Sequence, residues 1–250
     1  MKVVLLTSKA ADEFQISVLD KLINSRHKIL GWVVDTRETK SLYEKLKHNI
    51  KKGRGGYVLI MAFSNLFMKK ETMFDLSPIM RKSNKEIYYT DQLNSSDCIN
   101  KIMNLNPDVL ILLGGFGIIK GDLINLCKYG VISYHHGDME KYRGQPVGFW
   151  ELYNNESTAG VMVQKLSEGL DCGEPIKKIT IPIKKTDSLR SLRKRMYSDS
   201  VDMLVDSLDF LELSSTVLTK YKMYGKIYTL PNLRQWLYFN LKMLFRSMNF

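Results

Sequence analysis

Two adjacent histidines, His135 and His136, close an apolar run at residues 130–134 and are followed at once by Asp138, Tyr142 and Arg143. Imidazole titrates near neutral pH, so such a loop at a strand end suits proton transfer and charge stabilisation at a reacting centre. The His-His-x-Asp spacing also has the chemistry of a metal site. No third ligand cluster in the sequence joins it, and the expectation is no metal. The three cysteines, Cys98, Cys127 and Cys172, have neither metal-ligand spacing nor an even disulfide pattern. They fit a reducing, cytoplasmic setting.

Gly114-Gly115-Phe116-Gly117 is the second candidate. Glycines there would let the backbone cradle an anion or lie flat under a ring. No Gly-Lys-Ser/Thr follows, so it is not a Walker loop. The turn after the first strand, Thr7-Ser8-Lys9-Ala10-Ala11, lacks the glycines of a dinucleotide fingerprint. Asp35 therefore reads as a turn residue rather than a ribose ligand.

The elements that must position these residues alternate. Strand-like runs at 2–7, 28–34, 86–89, 108–113 and 130–134 are separated by helix-compatible stretches at 12–24, 37–52, 57–83, 96–103 and 121–127. Gly53-Arg54-Gly55-Gly56 breaks the second of these, and Asn106-Pro107 stops the fourth. This order predicts an α/β fold: an open, mostly parallel twisted sheet with helices on both faces. Ligands bind such sheets beyond the carboxyl ends of the strands, which flags the loops after 113 and 133. A helix at 146–154, two strands at 160–165 and 175–183, and one long helix capped by Asp187 and running to 212 complete the body. Residues 224–231 read as a short hairpin or extended arm, and 233–248 as a basic amphipathic helix.

Residues 130–144, Gly130-Val131-Ile132-Ser133-Tyr134-His135-His136-Gly137-Asp138-Met139-Glu140-Lys141-Tyr142-Arg143-Gly144, resemble the signature loop of the folate-dependent formyltransferase family, Asn-x-His-x-Ser-Leu-Leu-Pro-x-Tyr-Arg-Gly. Asp171-Cys172-Gly173, followed by Pro175-Ile176, resembles that family's downstream Asp-x-Gly. The resemblance covers residues 80–213, with weaker similarity back to Met1, and is nearest the sugar N-formyltransferases.

The resemblance implies a Rossmann-like formyltransferase domain at 1–213 and a basic arm and helix at 214–250. It implies transfer of a formyl group from 10-formyltetrahydrofolate to an amine. His135 would stabilise the oxyanion and move a proton, and Asp171 would orient the ring and accept a proton. Gly115, Phe116, Gly117, Ile118, Glu168, Gly169 and Leu170 would hold the folate, and Tyr142, Arg143, Gly144 and Gln145 the acceptor. Three departures stand out. The family's asparagine is Ser133, its proline after the histidine is His136, and its serine is Gly137. Loss of an oxyanion donor costs ~3–4 kcal/mol, so either Ser133 acts through water, or His136 takes the role, or catalysis is weak.

The formal charge is +11, and residues 214–250 carry six Lys/Arg and no Asp or Glu. Such a balance suits an anionic partner. Among the family's acceptors, the initiator tRNA enzymes carry a C-terminal barrel for which 37 residues are too few. A nucleotide-linked amino sugar of polysaccharide biosynthesis is the expected acceptor. Nucleic acid is not expected, since no binding module accompanies the charge. The C-terminal helix would suit its own domain, a second subunit or an anionic membrane surface. The rival readings are a formyltetrahydrofolate hydrolase and a catalytically impaired folate or nucleotide-sugar binder.

Overall fold

The computed structural model describes residues 1–38, 41–51, 72–214 and 218–248. Its centre is a seven-stranded sheet in the order β10-β9-β7-β6-β1-β3-β5. The parallel part comprises β1 (Lys2–Ser8), β3 (Lys28–Asp35), β5 (Glu86–Thr90), β6 (Val109–Leu112) and β7 (Val131–His135). Two antiparallel strands, β9 (Thr158–Lys165) and β10 (Glu174–Pro182), extend the β7 edge. A small pair, β2 (Ala10–Ala11) with β4 (Phe74–Asp75), lies apart.

β1 is central, and its alternate residues feed two cores because helices cover both faces. Val3 and Leu5 pack with Val18 and Leu22 of helix α1 (Glu13–Ile23) and with Leu204 and Leu208. Val4 and Leu6 pack with Cys98 and Ile102 of the helix Ser96–Asn104. The chain winds one way from β1 through β3 to β5 and the other way through β6 to β7. The switch point is therefore between β1 and β6, where an open sheet leaves a crevice. Gln15 bridges it: its Oε1 accepts from the Asp12 backbone at 3.0 Å, and its Nε2 donates to the Leu113 carbonyl at 2.5 Å.

Several expectations are corrected. The single long helix at 187–212 is two helices, Leu189–Ser198 and Met203–Leu213. The Ser200 hydroxyl donates back to the Met196 carbonyl at 2.7 Å, and the Tyr134 hydroxyl donates to the Ser200 carbonyl at 2.8 Å and accepts from the Leu204 amide at 2.9 Å. These side chains satisfy the two helix ends and stabilise the break. Ser188, not Asp187, caps the first of the two, while Asp187 pairs with Arg195 at 2.6 Å. The helix expected at 37–52 spans Leu42–Lys51. The turn expected at 53–56 and the helix expected from 57 to 71 lie outside the described residues; of the rest, Ser77–Ser83 is helical.

The C-terminal segment is an extended arm and not a hairpin. Its strand β11 (Lys226–Tyr228) pairs in parallel with β8 (Tyr142–Gly144), the end of the signature loop. The last helix, Leu233–Met248, buries Phe239 against Phe149, with ring centroids 4.3 Å apart. Its two inner cations cap carbonyls of the body: Lys242 donates to Leu152 and Tyr153, and Arg246 to Lys184 and Lys185. Leu237, Tyr238 and Leu241 face outward. Among the described residues, no helix is long and apolar enough to cross a membrane.

Candidate active site

β7 ends on His135, whose side chain is only 6% exposed. Its Nδ1 lies 3.3 Å from Asp171 Oδ1 and its Nε2 lies 2.9 Å from the Tyr142 carbonyl oxygen. Two acceptors flank one ring, an arrangement that suits the doubly protonated imidazolium. Burial opposes that charge, but the Asp171 hydrogen bond and charge, with the Tyr142 carbonyl, outweigh it and raise the His135 pKa above the ordinary imidazole value. Asp171 is correspondingly held below the usual carboxylate range. Burial pushes it up, and the His135 contact and the Gly144 amide, which donates to Oδ2 at 2.8 Å, more than reverse this. Asp171 sits at φ 45°, in the left-handed region that Asp tolerates better than most residues. That turn aims its carboxylate back at the signature loop.

Two clefts meet at this pair. The first, about 410 Å³, lies at the switch point and is lined by Asp12, Gln15, the glycine loop, Ser133, Ser167 and Gly169. The second, about 480 Å³, is lined by His135, Gly144, Val147 and residues 228–230 of the arm. Ile118, Tyr134, His136, Gln145, Leu170 and Asp171 border both. The arrangement can hold two molecules on either side of a charged imidazole–carboxylate pair.

His136 packs its ring among Phe14, Tyr134 and Tyr197, with centroids 4.8, 5.6 and 4.7 Å away. Its Nε2 is buried without a hydrogen-bond partner among the described residues. Burial, with the charge of His135 beside it, pushes its pKa down to about 3, so the ring is neutral.

Residues 1–208 match the model of the formyl transferase family. The chain belongs to that family. A methionyl-tRNA formyltransferase of Clostridioides difficile (strain 630) is 25% identical over 212 residues, 85% of this chain and 60% of its own length. The chain thus spans less than two thirds of that relative. A glycinamide ribonucleotide transformylase from Symbiobacterium toebii shares the fold, with a TM-score of 0.61 at 13% identity over 91% of this chain and 94% of its own. An N-formyltransferase from Helicobacter canadensis, in complex with folinic acid and dTDP-3-aminofucose, gives a TM-score of 0.58 at 13% identity over 92% and 71%.

In this member of the formyl transferase family, the residues expected to bind ligands fall differently on the two clefts. Gly115, Gly117 and Gly169 line the first cleft, Gly144 the second, and Ile118, Leu170 and Gln145 both. Phe116 is buried on the far side of its loop, under the Arg37 guanidinium at 5.6 Å. Glu168 is exposed and lies among the lining residues of neither cleft. Tyr142 and Arg143 are also outside both. The Tyr142 hydroxyl donates to Glu156 at 2.9 Å, and the Arg143 guanidinium donates twice to the Leu170 carbonyl, at 3.0 and 2.5 Å. Their geometry fixes the two loops and leaves the clefts to others.

Asp35 does more than turn the chain. A Cβ on Gly115, which has φ +74°, would come within 2.9 Å of Asp35 Cβ and 3.0 Å of the Thr7 backbone. The glycine loop thus lies directly on the ends of β1 and β3. The residues missed from sequence are Asp12, Phe14, Gln15, Tyr197 and Tyr228, together with Glu151. Only the Asp12-x-x-Gln15 capping box carried a legible signal. Glu151 is 3% exposed, and its pKa is pushed up to about 7, first by burial.

Proposed function

We propose that this chain transfers a formyl group from 10-formyltetrahydrofolate to an amine, and that the amine belongs to a nucleotide-linked amino sugar. The observation that carries this reading is the His135–Asp171 pair at the junction of two clefts, each inside the volume range of small-molecule sites. The first cleft fits the donor. A flat ring can lie on the glycine-loop backbone, where nothing stands within 4 Å of a Cβ built on Gly117, and polar groups from Asp12, Gln15, Ser133 and Ser167 border it. The bound folate would supply an activated formyl carbonyl; the chain's own residues supply placement, charge and proton transfer.

The acceptor nitrogen attacks as a neutral amine, forms the new C–N bond, and must lose a proton. Asp171, the carboxylate of the pair, is the acceptor for that proton. The leaving folate nitrogen takes one proton back. Charge develops on the formyl oxygen, and the imidazolium of His135 is the cation of the loop that lines the cleft. Its Nε2–H is held by the Tyr142 carbonyl, so donation to substrate requires the ring to leave that carbonyl. Ser133 or His136 then provides the second donor.

The sugar acceptor draws support from the Helicobacter canadensis fold relative, whose complex contains dTDP-3-aminofucose, and from the +11 charge, which suits a diphosphate. With Lys242 and Arg246 turned into the body, the outer face of the last helix suits a second subunit better than an anionic membrane. The test is Asp171→Asn and His135→Asn in an assay with formyl donor and a panel of nucleotide-linked amino sugars. Near-normal turnover in either variant would sink the assignment. Formate release without acceptor would assign a hydrolase instead.

A further inference from the structure

The C-terminal arm is built onto the signature loop. β11 pairs in parallel with β8, placing Tyr228 beside Gly144. The Gln145 amide donates to the Tyr228 carbonyl at 3.1 Å, the Gly225 amide to Met139 at 2.8 Å, and the Trp150 indole to Thr229 at 3.2 Å. The Tyr224 hydroxyl donates to the Gly173 carbonyl at 2.8 Å, which ties the arm to the Asp171 loop as well. The fit leaves no slack. A Cβ on Gly144, at φ +89°, would sit 2.1 Å from the Tyr228 carbonyl oxygen, and one on Gly225 would sit 2.4 Å from the Lys141 backbone. Glycine at 144 is thus required by the arm that covers it.

The consequence is chemical. Tyr228, Thr229 and Leu230 form the outer wall of the 480 Å³ cleft onto which His135 and Asp171 open. Ile118, Val147 and Leu170 also line it. Among the described residues lining this cleft there is no Lys or Arg. The nearby cations lie outside. Arg193 donates to the Val147 carbonyl at 3.2 Å, and Lys226 lies 5.9 Å from the Tyr228 ring centroid.

We propose that the arm is the acceptor-specificity element. Tyr228 and Leu230 receive an uncharged, amine-bearing ring against an apolar wall, and the phosphates of the acceptor remain outside the cleft, towards Lys226 and Arg193. This rests on the formyl-transfer reading and narrows it. The acceptor presents its amine on a hydrophobic-faced ring such as a deoxy-sugar, and not on a short phosphorylated chain. A phosphate drawn into this cleft would lose its water with no lysine or arginine to replace it, since the one imidazolium there, His135, is already engaged by Asp171 and the Tyr142 carbonyl.

The test uses the full chain with Leu230→Trp, which fills the wall, and Leu230→Ala, which opens it. Each is checked by circular dichroism and thermal unfolding. Folinic acid affinity is measured by calorimetry. Formylation of dTDP-3-aminofucose, related nucleotide-linked amino sugars and glycinamide ribonucleotide is measured in parallel. The expected result is folinic acid affinity within about twofold of the parent in both variants. Leu230→Trp raises the acceptor KM at least about tenfold, and Leu230→Ala shifts preference among the sugars. Equal acceptor KM values in parent and variants overturn the inference, as does a parallel fall in folinic acid affinity. Folinic acid binding without transfer to any of the sugars also overturns it, while leaving the donor site standing. A parent chain that binds no folinic acid overturns the formyl-transfer reading, and this inference with it.

Discussion

The ring of His135 fills the space that a side chain at residue 137 would need. A Cβ on Gly137 would sit 2.6 Å from His135 Nε2 and 2.8 Å from the Tyr142 carbonyl oxygen that Nε2 contacts. The resembled signature has serine at this position. Gly137→Ser is therefore expected to push the imidazole off the Tyr142 carbonyl and remove one of the contacts that raise its pKa. The His135 titration midpoint, followed by imidazole NMR, should move down, and turnover should fall about tenfold or more, because a misplacement near 1 Å can cost on the order of 100-fold. An unchanged midpoint would mean that the ring and the new side chain share the space.

Asp171→Asn removes the partner that offsets the burial of His135. In the native chain His135 lies above 6.5, so its stabilisation is full below 6.5 and is lost as the pH rises through the folded value. Asp171 lies below 3.8, so its contribution is present above 3.8 and is lost as the pH falls through its own folded value. The pair stabilises most between these two reference values. In Asp171→Asn, burial acts on His135 against the weaker pull of the Tyr142 carbonyl and the Glu151 charge, and its pKa should fall from the native value. Urea unfolding at pH 5.5 should show a loss of about 3 kcal/mol, the low end for breaking a buried ion pair. A loss of equal size at a pH high enough that imidazole NMR shows His135 neutral in both chains would argue that packing and not the ion pair is responsible.

The sheet was legible because its strands are short apolar runs bounded by turn residues. The His135–Asp171 pairing was legible through its motif. Other features were not, for identifiable reasons. The break between the two helices at 189–213 depends on the hydroxyls of Tyr134 and Ser200, and the hydrophobic periodicity runs through it undisturbed. The arm's three-residue strand is too short to carry a period of two, and its partner is remote in sequence. Arg143 and Tyr142 have residue types that suit substrate binding, but only the geometry shows the guanidinium holding Leu170 and the phenol holding Glu156.

Tyr134→Phe tests the helix break. It leaves the Leu204 amide, half of the joint between the two helices, without its acceptor. An unsatisfied buried donor costs about 1–3 kcal/mol. The expected loss in urea unfolding is in that range, with little change in folinic acid affinity. A neutral substitution would mean that water replaces the hydroxyl.

Glu151 is a carboxyl that the proposed reaction does not require, and it carries a stability cost above pH 7. Its pKa rises from 4.5 to about 7, mainly through burial. The folded state therefore holds its proton longer, and stability falls as the pH climbs from 4.5 through 7. That rise corresponds to about 3 kcal/mol. Glu151→Gln should accordingly be more stable than the parent at pH 8 by up to that amount, and nearly equal to it at pH 4.5. A parent and variant that track together across this range would show that Glu151 is ionised and solvated in the folded chain.

The choice between Ser133 and His136 as second donor can be settled by exchange. His136 is neutral at working pH, with its pKa pushed down to about 3, and its buried Nε2 has no partner among the described residues. His136→Phe keeps an aromatic ring among Phe14, Tyr134 and Tyr197 and deletes both nitrogens. If His136 donates to the formyl oxygen, kcat should fall about 100- to 1,000-fold, the usual cost of an oxyanion donor, with KM for folate little changed. Adding Ser133→Asn to that variant restores the amide of the family signature and should recover much of the lost kcat. Full activity in His136→Phe together with a large loss in Ser133→Ala would give the role to the serine hydroxyl. Ser133 borders only the 410 Å³ donor cleft, whereas His136 borders both, so the serine assignment keeps the oxyanion on the donor side of the His135 ring. The acceptor nitrogen then approaches from the arm side, the geometry in which Asp171 can take its proton.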